Sequence, residues 1–121
     1  MCANRWASGE LDGARLLSTE CISRATALQT DEVDAVVGMP IPKGLGYMLG
    51  GELSPMGNRL TAFGHPGSGG SIGFADPEYP FAFALTKTRQ VTSPPGTDAA
   101  YLVAEAARTA LGIPNAPVST L

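Results

Sequence analysis

The usual equipment of a catalytic or metal centre is scarce in this sequence. One histidine, His65, stands in 121 residues, and the two cysteines, Cys2 and Cys21, have neither CxxC spacing nor a histidine nearby. A zinc-type site built from His and Cys is therefore excluded as an expectation, and no cofactor motif replaces it. A disulfide between the two cysteines and a pair of idle thiols both stay open, the idle thiols being the plainer reading.

Charge is also thin: charged residues make up 16%, and eight Lys and Arg against eleven Asp and Glu give a net charge of −3. The basic residues are scattered, which leaves no electrostatic footprint for nucleic acid or an anionic membrane. No run approaches the roughly 20 apolar residues of a membrane span, and Met1 to Glu10 holds no apolar core of signal-peptide length. The chain as given reads as cytoplasmic, the compartment of any longer parent being left open.

What is present is the material of one domain. Hydrophobic residues reach 44%, with 15 glycines and 10 prolines as punctuation. That length suits a single unit, residues 1–121, and so apolar a composition with so little charge implies surface in need of a partner. Gly9 to Gly13 reads as a turn closing an element that contains Ala3 to Ser8. Ser18 is a suitable N-cap and Glu20 sits in the positive first turn, so the spacing predicts a helix from Thr19 to Leu28.

Near the other end Pro94-Pro95-Gly96 breaks the chain, Thr97 or Asp98 can cap, and Ala99, Leu102, Val103, Ala106 and Ala110 recur at helical spacing before Gly112. Four short runs between the helices read as strands: Leu45–Leu49, Leu60–His65, Ser71–Ala75 and Phe81–Thr86. Asp76 to Pro80 has turn chemistry, so the last two runs should form an antiparallel hairpin. The last run is apolar on both faces and needs cover on both, from the final helix on one side and from the Ser18 helix or an absent element on the other.

Chemistry concentrates in Ala62 to Pro77, AFGHPGSGGSIGFADP. Gly69-Gly70-Ser71-Ile72-Gly73 fits the G-x-S-x-G elbow of α/β-hydrolases, with Ser71 as nucleophile. That elbow turns from strand into helix and is followed by its histidine, whereas Ser71 leads into a strand and no histidine follows it. A Walker loop and a Rossmann fingerprint cannot be drawn through these glycines. A strand end remains, with glycines that admit close backbone approach and His65 beside them.

The string H-x-G-x-G-G-S-x-G-F-A-D-P, with Leu45-Gly46-Tyr47-Met48-Leu49 and Leu11-Asp12-Gly13 upstream, resembles the C-terminal third of the serine β-lactamase-related hydrolases. These are class C-like esterases and peptidases akin to penicillin-binding proteins. The similarity runs from about Trp6 to Arg89, with the final helix fitting in kind. It implies an α+β, partial β-lactamase-like fold: an antiparallel sheet of about three to five strands, a C-terminal helix on one face and an N-terminal helix. It also implies that His65 takes the place of the motif lysine, that Gly67 holds a close turn, and that the Ser68 backbone N–H is one of two oxyanion donors.

The departure from the family is equally definite. No serine has a lysine three residues on, and Tyr47, Tyr79 and Tyr101 are followed two residues later by Leu49, Phe81 and Val103, so the nucleophile pair and the tyrosine motif are both missing. The expectation is a fragment carrying one wall of an active site, inactive alone, and acting on a small ester or amide when an N-terminal chain complements it. Self-association is the alternative use of the same apolar surface. A non-catalytic remnant and an enzyme using Ser71 are the competing readings. Lys87 and Arg89 are expected at a solvated strand end, although a substrate-carboxylate contact is compatible with their charge. Trp6 and Tyr47 read as core rather than pocket.

Overall fold

The computed structural model describes residues 10–52 and 54–115. Along them run β1 (Glu10–Leu11), β2 (Ala14–Arg15), α1 (Thr19–Thr26), β3 (Met48–Leu49), β4 (Phe63–Pro66), β5 (Ile72–Asp76), β6 (Phe81–Leu85) and α2 (Ala99–Ala110). Strands β3 to β6 form one antiparallel sheet in chain order, and β1 with β2 pairs apart from it. An antiparallel sheet of four strands with a helix at either end is a partial β-lactamase-like α+β fold, as the resemblance implies. Cys2, Trp6 and the element from Ala3 to Ser8 lie outside the described residues.

Local chemistry explains most boundaries. Asp12 and Gly13 have φ of 49° and 83°, the pair of positive values that a two-residue hairpin turn demands, so the expected turn at this point joins β1 to β2. Ser18 Oγ accepts the Cys21 N–H at 3.1 Å and starts α1. The helix stops two residues before Leu28, because Ala27 takes an extended conformation. The chain then leaves as a ribbon, in which the Gln29 N–H donates to the Lys43 carbonyl and the Lys43 N–H to the Thr30 carbonyl, both at 2.8 Å.

The expected strands are trimmed by turns. Gly46 has φ +82°, which ends any extension through Leu45, so β3 begins only at Met48. Leu60 and Thr61 lie in a turn closed by the Ala62 N–H on the Arg59 carbonyl at 3.1 Å, so β4 begins at Phe63. The hairpin of β5 and β6 is as expected, with Phe74 opposite Phe83 and Asp76 opposite Phe81.

One face of the sheet forms the main core. Ile72, Phe74 and Phe81 pack with Met56 and Ala62 against Ala100 and Ala104 of α2. The helix therefore docks by its alanines, and the apolar positions singled out by spacing lie outside: Leu102 is 57% exposed and Val103 45%. The small side chains of Ala100 and Ala104 let the helix come close to the Phe74 and Phe81 rings. Arg108 completes the buried row at 1% exposure, its guanidinium 5.1 Å from the Phe74 ring centroid. It donates to the Pro55 carbonyl at 3.0 Å and pairs with Glu105.

The opposite face buries a smaller cluster, Leu49, Phe63 and Ala75, with Tyr47 edge-on to Phe63 at 5.3 Å. Helix α1 does not supply its cover, since no residue of α1 is buried. At the far end of β5, Asp76 is 1% exposed and paired with Arg59, which also donates to the Pro114 carbonyl and lies 4.5 Å above the Tyr79 ring. This ion pair ties the segment before β4 to the β5–β6 turn and to the chain leaving α2.

Candidate active-site wall

The site expected from sequence falls on the hairpin joining β4 to β5. Phe63 and His65 alternate with Gly64 and Pro66 along β4, and His65 lies opposite Gly73. Phe63 is buried and His65 exposed, so the strand is anchored at one end and presents its imidazole at the other. Gly64 is set by close approach, because a Cβ there would meet the Gly73 carbonyl oxygen at 2.2 Å and the Phe74 Cα at 2.6 Å.

Beyond Pro66 the chain turns through three residues. The Gly67 N–H donates to the Ser71 carbonyl at 2.6 Å, the Gly70 N–H returns to the Gly67 carbonyl at 2.9 Å, and Gly70 has φ +89°. This is the pattern of a type I turn followed by a left-handed glycine that forms a bulge. Ser68 occupies the second turn position, whose N–H takes no part in closing the turn. It is exposed, and among the described residues its N–H makes no hydrogen bond.

The His65 ring is oriented by its neighbour, with Nδ1 2.7 Å from the Pro66 carbonyl oxygen. A carbonyl can only accept, so in this contact Nδ1 is the donor. His65, Gly67 and Ser68 thus share one hairpin, with an imidazole on the strand and an open N–H at its tip.

Ser71 does not belong to that set as a nucleophile. It leads directly into β5 rather than into a helix, and its Oγ accepts the Lys87 N–H at 3.2 Å, a bond that holds β6 to the hairpin. Lys87 is half-buried rather than fully solvated, and its side chain crosses Gly70 so closely that a Cβ there would come within 2.6 Å of Nζ. Arg89 is exposed.

A concave surface adjoins the hairpin that no motif announced. A cavity of about 690 Å³ is lined by Gly67 and Ser68 and by Met39, Met48 and Met56 among others. Its far wall is the ribbon after α1, pinned by an ion pair between Lys43 and Asp34. That pair, with the Val37 and Val36 amides on the same carboxylate, lowers the Asp34 pKa to about 2. The lining residues are spread from Asp31 to Ala100 at no regular interval, so periodicity offered no signal for them.

A family model described as Beta-lactamase matches residues 3–108. The chain belongs to the β-lactamase family. The match takes in β1 to β6 and most of α2, beyond the Arg89 limit of the visible motifs. Among relatives of this β-lactamase-family chain is "Esterase/beta-lactamase LipL" of Mycobacterium tuberculosis, 39% identical over 95 residues, 78% of this chain and 21% of that protein. A penicillin-binding protein homologue from Caulobacter crescentus superposes with a TM-score of 0.80 at 31% identity, covering 89% of this chain and 29% of that one. A family VIII carboxylesterase superposes with a TM-score of 0.69 at 28% identity, covering 84% and 28%. The chain therefore spans about a fifth of the curated relative and under a third of these solved structures.

Proposed function

We propose that this β-lactamase-family chain is the oxyanion wall of a serine hydrolase that cleaves small esters or amides through an acyl-enzyme. In this reading the Ser68 N–H is one of two donors to the tetrahedral oxyanion, Gly67 fixes the turn that aims it, and His65 stands where the motif lysine does. The observation that carries the reading is the Ser68 N–H, left over by the turn's own hydrogen bonds on an exposed residue at a hairpin tip. The nucleophile and its activating lysine come from a separate Ser-x-x-Lys segment, since this sequence has no such pair. The chain alone is inactive.

Ser68→Pro is the test, because proline suits the second position of a type I turn while deleting the N–H. In the enzyme complemented with a Ser-x-x-Lys segment, kcat should fall about 10²–10³-fold while the fold is retained. Ser68→Ala, which keeps the N–H, should leave kcat within about twofold. Equal rates for Ser68→Pro and the parent would remove the oxyanion role.

A second reading, that the chain works as an oligomerising module without turnover, is favoured by a different observation. Helix α2 exposes Leu102 and Val103, Leu111 is exposed just beyond its end, and Ala82 and Ala84 are open on β6. Such apolar area on a small chain marks a surface meant to be covered. An N-terminal complementing chain covers it under the first reading, and a second copy covers it under this one. Sedimentation of the chain alone and with the complementing segment separates the two.

A further inference from the structure

We infer that two copies of this chain join through the free edge of β6, strand to antiparallel strand, so that the sheet of each copy becomes half of one larger sheet. The inference rests on the oligomerising reading above and names the surface and register by which it works.

The two edges of the sheet differ. At β3 the outer side is closed by the ribbon after α1, where Lys43 bridges Met48 and the Leu49 N–H donates to the Pro42 carbonyl at 2.8 Å. At β6 no backbone group among the described residues meets the outer side. Edge strands are ordinarily blunted by charge, proline, a bulge or shortness. Phe81-Ala82-Phe83-Ala84-Leu85 has none of these, and its register along β5 is unbroken.

The phase of the ladder decides which groups the edge offers. The Gly67 N–H on the Ser71 carbonyl sets Ser71, Gly73 and Ala75 to bond toward β4, so Ile72, Phe74 and Asp76 bond toward β6. Their partners Leu85, Phe83 and Phe81 turn their backbone groups to β5, which leaves the N–H and C=O of Ala82 and Ala84 pointing outward. Both alanine side chains are exposed and too small to obstruct an approaching strand.

A second copy matches this pattern. In a two-fold antiparallel pairing centred on Phe83, Ala82 of each copy opposes Ala84 of the other, and every outward N–H of the two alanines finds a carbonyl. A slip of two residues either way sets an alanine opposite Pro80, which has no N–H, or opposite Thr86, beyond the end of β6. The centred register also brings the Glu78 end of one strand to the Lys87 end of the other, whereas a parallel pairing would set like charges together. Phe83, half-buried in one chain, gains its counterpart as a cross-strand neighbour.

Sedimentation equilibrium of the full chain under reducing conditions, combined with amide hydrogen exchange, tests this. The chain should form dimers, and exchange at the Ala82 and Ala84 amides should slow as concentration rises. Ala84→Pro deletes an outward N–H that no intramolecular bond uses, so the fold should be kept while self-association weakens roughly 30-fold, two bonds being lost per dimer. Ala84→Ser keeps the N–H and should dimerise within about twofold of the parent. Ala82→Lys leaves the backbone intact but puts a charge at the edge, and should weaken dimers too. A monomer at every concentration would overturn the inference. So would protection of the two amides that is independent of concentration, because the edge would then be covered from within the chain. Dimers abolished by Leu102→Glu and untouched by Ala84→Pro would move the contact to α2, sinking the inference and keeping the oligomerising reading. Dimers through β6 that hydrolyse a p-nitrophenyl ester would keep the inference and sink the reading of a module without turnover.

Discussion

At the scale of single residues, two glycines on neighbouring strands have opposite roles. Adding a methyl group at Gly64 drives it into the backbone of β5, which cannot yield without breaking strand register, while Gly73 has nothing within 4 Å of the same atom. Gly64→Ala should cost about 1–3 kcal/mol in urea unfolding, and Gly73→Ala should stay within about 0.5 kcal/mol. Equal effects would contradict the close approach of β4 to β5. Asp34 gives a second residue-scale test. Its pKa in the folded chain, about 2, lies below the ordinary carboxylate value of 3.8, so its pairing stabilises the ribbon above the unfolded pKa. That contribution is lost as pH falls from about 4 through about 2. The Val36 and Val37 amide signals should titrate with that low midpoint, and in Asp34→Asn this step should vanish.

At the scale of elements, the clamp at the end of β5 matters more than either cap. Asp76 is buried and its ion pair with Arg59 joins three segments, so Arg59→Met strands a buried carboxylate and should cost about 3–5 kcal/mol. Glu78, 53% exposed at its side chain and 3.3 Å from the same guanidinium, should cost under about 1 kcal/mol on change to Gln. Comparable losses for the two variants would mean that burial is not what gives the pair its weight. Helix caps and the β5–β6 hairpin were legible in sequence because Ser18, Asp98 and the Asp76-Pro77 turn act through neighbours within a few residues. The docking face of α2 was not. Leu102 and Val103 dominate any apolar stripe, yet the sheet's phenylalanines accept only the alanine row and a buried Arg108, which depends on partners distant in sequence.

At the scale of the whole molecule, the motif hairpin and the cavity differ in the same way. His65, Gly67 and Ser68 lie within four consecutive positions and stand out by resemblance to a family motif, and the turn that holds Gly67 and Ser68 is closed by hydrogen bonds within five residues, so its geometry is local. The cavity is assembled from the ribbon, the segment before β4 and the chain before α2, and only folding brings Met39 to Ser68. The sequence holds no Ser-x-x-Lys pair, and apolar side chains stand exposed on α2 and β6. Under the proposed function one second segment supplies the chemistry and covers that surface.

The most direct measurement is hydrolysis of a neutral p-nitrophenyl ester by the purified chain, alone and after mixing with an N-terminal β-lactamase-family segment that carries Ser-x-x-Lys. The account predicts no turnover by the chain alone and turnover in the mixture, unaffected by Ser71→Ala. Turnover by the chain alone that disappears in Ser71→Ala would contradict it.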